Sequence, residues 1–304
     1  MEADWAGLLK GLWMLTLSVA GGLALGKAII ALSLPERLFR VLLPRMKSLG
    51  IPPQALFALG VSLGSSRAGV AIVAEAYSEG IMTKQEALFG TLLQSFPGYV
   101  RRWTVTFPVA AALAGKAGAI FSLTLLTRSF IRFLFFLAML RRPGGGEGTA
   151  GTADPAGMRP SGRFSLLKTL LKTLPPAWAF YGGAYLATPA LQRLIEAWGA
   201  GLPLMSPAGW TVAAASFAHV NAALGAAGGS VAVGSLTTAQ AVLALLTGNM
   251  LAALSRVLRQ DLAFWMGLYP GRMVRSLFAW NFGTLMALMA VSVAAAAVPV
   301  ILGW

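Results

Sequence analysis

The chain has 304 residues, 57% of them apolar and only 11% charged, with a formal net charge of +14. A mean hydropathy of +0.72 is more apolar surface than one water-soluble core can hide. An ordinary soluble domain is therefore excluded, and the composition predicts an all-α, polytopic helical membrane protein whose spans each need roughly 20 apolar residues. The positive balance is explained by cytoplasmic loops and anionic headgroups rather than by nucleic acid.

In chain order, the first apolar run covers 8–34. Glu2 and Asp4 precede it in place of a basic leader, so it reads as an uncleaved first span. Gly22 and Gly26 within it have the spacing that lets helices approach closely. Residues 35–47 interleave Arg37, Arg40, Arg45 and Lys47 with Leu and Phe, as an amphipathic helix on the cytoplasmic surface would. A span is predicted over 53–77, carrying Ser65, Ser66, Arg67 and Glu75. Gly80 marks a turn, after which Thr83 and Glu86 have the spacing of a capping box.

The helix from Lys84 is expected to break at Pro97-Gly98. The short apolar stretch 103–114 then reads as half of a broken helix or a re-entrant segment, and 117–140 as a further span. Residues 143–163 are rich in Gly, Pro, Ala and Thr and are bracketed by Arg and Lys, which predicts a flexible cytoplasmic linker. An amphipathic entry at 164–174 follows, then spans near 176–197, 207–233, 238–259 and 275–302. Eight spans result, with up to two broken ones besides, and domains at 1–142 and 164–304.

The two domains answer one another. Residues 53–102 return without gaps at 207–256, an offset of 154. Pro53 matches Pro207, Ala68 matches Ala222, Gly80 and Thr83 match Gly234 and Thr237, and Ala87, Leu92 and Arg102 match Ala241, Leu246 and Arg256. Transporter folds often consist of two such repeats with the solute site between them. Whether this repeat is parallel or inverted is open at this stage.

Ionisable groups inside a membrane are costly and usually face a cavity, a pathway or one another. Arg67 is a candidate to hold a polar or anionic solute, and Glu75, just over two turns on, a candidate for proton coupling. The offset sets Ser65 against His219, Arg67 against Asn221 and Ser95 against Asn249. Ser65, Arg67, Ser95, His219, Asn221 and Asn249 are thus the candidate solute-binding residues. Gly248, like Pro97-Gly98, is a point where a helix could unwind, and irregular backbone at membrane depth must line a cavity or be buried. Arg102 and Arg256 read as interfacial anchors, and Trp5, Trp103, Trp198 and Trp304 as belt residues. Without cysteine there are no disulfides, thiolate metal sites or thiol catalysis. No phosphate-binding glycine loop, zinc-protease helix or dinucleotide fingerprint occurs, so neither an enzyme nor a metal or cofactor site is expected.

Three stretches together resemble a known family: Gly60 to Gly69 with Ser65-Ser66-Arg67, Gly80 to Ala87, and Gln94-Ser95-Phe96. They are similar to the nucleoside-recognition, or Gate, domain of concentrative nucleoside transporters, of the membrane part of ferrous iron transporter B, and of spore maturation proteins A and B. A second, weaker unit is carried by Asn221 to Gly225, Gly234 to Thr237 and Gly248-Asn249. The resemblance implies a multi-pass inner-membrane protein of two Gate-like repeats, each of four to five spans. It implies a permease for a small polar solute, a nucleoside among the candidates. The alternative is a non-transporting scaffold or signalling component, as in spore maturation, working with a partner membrane protein or a second copy. The iron transporter's GTP-binding domain has no counterpart here.

Overall fold

The computed structural model describes residues 51–141 apart from Leu63, residues 205–302, and scattered helical positions between 6 and 17 and between 171 and 197. The first span, the surface helix at 35–47, the linker at 143–163, the entry at 164–174 and the span near 176–197 lie outside the described residues, entirely or for most of their length. Every described element is helical.

The first half is built from α1 (Pro53–Ser62), α2 (Ser66–Ser78), α3 (Lys84–Leu93) and α4 (Ser95–Leu140). The second has α5 (Pro207–Ala218), α6 (Val220–Ala232), α7 (Thr238–Leu251), α8 (Ala253–Arg256), a π-helical segment (Val257–Leu262), α9 (Ala263–Leu268) and α10 (Gly271–Ile301).

The spans expected at 53–77 and 207–233 are each two short helices. α1 and α2 are 10 and 13 residues long, α5 and α6 12 and 13, too short to cross a bilayer singly. The breaks have a local cause. Ser65 and His219 adopt extended backbone and cap the helix that follows: Ser65 Oγ accepts from the Ala68 amide at 3.3 Å, His219 Nδ1 from the Asn221 amide at 3.1 Å. A side chain that bonds its own backbone competes with the helical ladder and starts a new helix.

The turn after each broken pair is the same turn. The amides of Glu79, Gly80, Ile81 and Met82 bond the carbonyls of Glu75, Tyr77, Ala76 and Ala76 at 2.9–3.2 Å. Those of Val233, Gly234, Ser235 and Leu236 bond Gly229, Val231, Ser230 and Ser230 at 3.0–3.2 Å. Thr83 with Glu86, and Thr237 with Gln240, then close capping boxes, as the first half's sequence predicts. Each pair of equivalent residues is 154 apart.

The next breaks fall elsewhere than expected. α3 stops at Gln94, three residues before Pro97, and α7 runs through Gly248 to bend at Ala252. Pro97 sits in the first turn of α4, where its missing amide costs nothing. Within α4 the chain reverses at Gly115, whose φ of 55° and ψ of −132° are open to glycine. The reversal brings Trp103 Nε1 onto the Ser122 carbonyl at 3.1 Å and the Phe96 ring to 5.6 Å from Phe130. The arms 95–114 and 116–140 therefore run antiparallel, and the short stretch at 103–114, expected as half of a broken helix or a re-entrant segment, belongs to an arm that starts at Ser95.

Two helices are long and apolar enough to cross a membrane, within Thr106–Leu140 and at Gly271–Ile301. Past the reversal the first of these is 116–140, on the order of 37 Å at 1.5 Å per residue. A third crossing results if Thr238–Leu251 and Ala253–Leu268, bent by 45°, count as one.

The core is in two parts, and each is completed by the other half. α1, α2, α3, Phe136 and Leu140 pack with Ala263, Phe264, Trp265, Tyr269, Met273, Val274 and Leu277. α5, α6 and α7 pack with Ala110, Ala114, Ala117 and Phe121 from the tip of the α4 hairpin. The exchange is reciprocal, since 110–121 shifted by 154 becomes 264–275. It is locked on one side by Thr91 Oγ1 and the Tyr269 hydroxyl, 2.5 Å apart. On the other side α6 meets the hairpin so closely that a Cβ on Gly228 would overlap the Leu113 carbonyl.

Candidate functional site

Where the halves interlock, polar groups gather. Arg132, in the outgoing arm of α4, donates from Nη2 to Asn281 Oδ1 at 2.5 Å and to the Asn281 carbonyl at 3.4 Å. Asn281, on α10, donates from Nδ2 to Asp261 Oδ2 at 3.2 Å. Asp261 belongs to the π-helical segment and has Arg132, Arg67 and Arg102 as electrostatic neighbours. Arg67, in the first turn of α2, stacks its guanidinium 5.5 Å from the Phe264 ring centroid, an aromatic–cation contact across the halves.

A second group adjoins the first. Arg256, at the end of α8, bonds both the carbonyl and the side-chain oxygen of buried Asn249. Tyr99 lies within electrostatic reach of Arg128, Arg102 and Arg256. Arg128 is 6% exposed and has Tyr99, Arg256 and Arg132 around it. Arg67, Arg128, Arg132 and Arg256, with Arg102 and Arg259 beside them, have a single carboxylate, Asp261, among their electrostatic neighbours, so the junction is strongly net positive.

Three guanidinium nitrogens at this junction, Arg67 Nη1, Arg128 Nη1 and Arg132 Nε, are buried without a hydrogen-bond partner. Native proteins pair buried charges and satisfy buried donors, so the arrangement suits an anionic group. Arg128 lies at the middle of arm 116–140, roughly 18 Å from either end. That is mid-depth for a helix that crosses a bilayer.

Of the residues singled out in the sequence, Arg67, Arg102, Asn249 and Arg256 join this junction. Ser65 and His219 cap α2 and α6, and Ser95 Oγ donates to the Leu92 carbonyl at 2.8 Å, closing the α3–α4 break. Asn221 is exposed on α6. Glu75 is half-buried toward the end of α2, with Glu79 as its charged neighbour rather than Asp261 or the arginines. Arg256 is no interfacial anchor: it is held inside the bundle by Asn249.

Arg128, Arg132, Asp261, Asn281 and Tyr99 were not anticipated. Arg128 and Arg132 offered a signal, two cations four residues apart inside a Phe- and Leu-rich span. Asp261 offered little, because the sequence places it past the end of a span. Among the described residues, no group of three or more His, Cys, Asp or Glu side chains could hold a metal ion.

Long apolar helices and a charged interior define a helical membrane protein. No family model matches the chain, and no solved structure matches it. An uncharacterized protein of Methanocaldococcus jannaschii is 28% identical over 89 residues, which is 29% of this chain and 28% of that protein. The matched part thus spans little more than a quarter of that relative.

Proposed function

We propose that the protein is a multi-pass membrane permease for a small polar solute, with its site at the junction between two Gate-like repeats. The observation that carries the reading is the arginine junction, strongly net positive at mid-depth with donors left open. Buried charge without a counter-ion is expensive and serves no packing purpose that a Leu would not serve better. A site for a negatively charged solute gives it one. Neutral nucleosides fit it less well than their phosphorylated or otherwise anionic relatives.

The fold supports the repeat. Equivalent turns, equivalent capping boxes and reciprocal core exchange all follow one offset. The equivalent helices, 116–140 and α10, run antiparallel. Ile131 and Phe135 share a cavity of about 520 Å³ with residues 279–288, whereas Ile120 and Thr124 share one of about 790 Å³ with residues 291–299. Equivalent helices of opposite direction support an inverted repeat, the arrangement in which rocking of one half against the other exposes a central site to each side in turn.

The test is uptake into proteoliposomes of a panel of nucleosides, nucleoside phosphates and small anions. Accumulation of one solute, lost with Arg67→Ala and Arg132→Gln in protein that still folds, supports the permease. A folded protein that moves nothing across ion or pH gradients would turn the reading to a scaffold of the spore-maturation type.

A further inference from the structure

The junction has two parts, one centred on Asp261 and one on Tyr99. Around Asp261 stand Arg132, Arg67, Arg102 and the Asn281 amide, so the cations there have a carboxylate among them. Around Tyr99 stand Arg128, Arg102 and Arg256; Asp261 is within electrostatic reach of Arg102 and Arg256, whereas Arg128 has only Tyr99 and two further arginines around it. Arg128 and Arg256 are electrostatic neighbours of like sign. Such a pair repels unless an anion lies with it.

Its geometry is fixed in advance. Asn249 takes up Arg256 Nη2 with two oxygens, which sets the plane of that guanidinium and leaves its other donors free. Arg128 Nη1 is buried with no acceptor. The π-helical segment follows directly after Arg256, and π-turns concentrate at functional sites. One carboxylate is satisfied by a single guanidinium fork, whereas several forks and a phenol around one place match a group with three terminal oxygens and a charge near −2.

We propose that this second part of the junction is a phosphate-group site for a soluble solute, with Arg128 and Arg256 as its principal ligands and the Tyr99 hydroxyl as a further donor. It rests on the reading of the junction as a solute site. A lipid headgroup shares the chemistry but not the place, because Arg128 is halfway along its arm and headgroups lie at the helix ends. Arg132 has Asp261 as its charged neighbour and Arg128 has no carboxylate, so a bound phosphate falls beside Arg128 and the adjoining Arg256 and not beside Arg132.

The experiment is equilibrium binding by calorimetry to the full chain in nanodiscs of zwitterionic lipid, with inorganic phosphate, a nucleoside monophosphate, the matching nucleoside and chloride as probes. Phosphate and the monophosphate bind, and the nucleoside and chloride do not. Arg128→Gln and Arg256→Gln each weaken binding at least tenfold, and Arg128→Lys, which keeps the charge and loses the fork, weakens it less. Arg275→Gln, at an exposed position on α10, changes nothing. Equal binding of nucleoside and monophosphate, unaltered binding by Arg128→Gln with the fold intact, or displacement of phosphate by phosphatidic acid in the nanodisc overturns the proposal. Phosphate binding without transport would keep this site and sink the permease. Transport of an uncharged solute without phosphate binding would do the reverse.

Discussion

Gly80 and Gly234 stand 154 residues apart with φ of 74° and 75°, each at the head of the same four-amide turn. Nothing lies within 4 Å of where a Cβ would go at either one. The cost of a side chain there is therefore that of the left-handed backbone alone, about 1–2 kcal/mol. Gly80→Ala and Gly234→Ala should each destabilise by that amount, and by closely similar amounts, in denaturant unfolding in detergent. Markedly unequal losses would speak against equivalent turns.

The capping boxes give a second paired expectation. Thr83→Ala and Thr237→Ala each remove a side-chain acceptor from a helix start, which costs about 1 kcal/mol. Because each helix packs on the partner half's long helix, both losses should appear in one cooperative unfolding transition rather than in two.

The interlock is tested at Gly228. A methyl group there meets backbone, the Leu113 carbonyl, which cannot rotate away. Overpacking of this kind costs about 1–3 kcal/mol. Gly228→Ala should lower the melting temperature, and Gly229→Ala, one residue on with open space around it, should not.

Asp261 balances the first part of the junction. With Asp261→Asn the one carboxylate among these arginines is lost and the net positive charge rises by one. Stability in phosphate-free buffer should fall by about 1.5–3 kcal/mol, the worth of a hydrogen bond to a charged group. Added phosphate should restore much of it, since a ligand that binds only the folded state stabilises it. A variant equally unstable with and without phosphate would contradict the junction's role as an anion site.

Much of this architecture was legible in the sequence, for definite reasons. Capping boxes depend on two residues three apart, so Thr83 and Glu86 predicted theirs, and the linked pair Thr237 and Gln240 carries the same chemistry with an amide. The breaks were harder. Proline drew attention to Pro97, yet the chain had already turned at Gln94, and a proline in a first turn interrupts nothing. The break at His219 was read as a binding residue because its role, bonding its own backbone, depends on a backbone angle that composition does not reveal. The site was hardest. Arg132, Asn281 and Asp261 come from three elements between 20 and 149 residues apart, and only the reciprocal exchange of helices brings them together.

Halves that are equivalent and oppositely oriented would let the junction face both sides of the membrane in turn. The chain has no cysteine, which allows the opposite orientation to be tested with single cysteines at the paired turns. Glu79→Cys and Val233→Cys, 154 residues apart and both exposed, would be treated in intact cells with a membrane-impermeant maleimide. An inverted repeat predicts that one is labelled from outside and the other only after the membrane is opened. Labelling of both from the same side would contradict it.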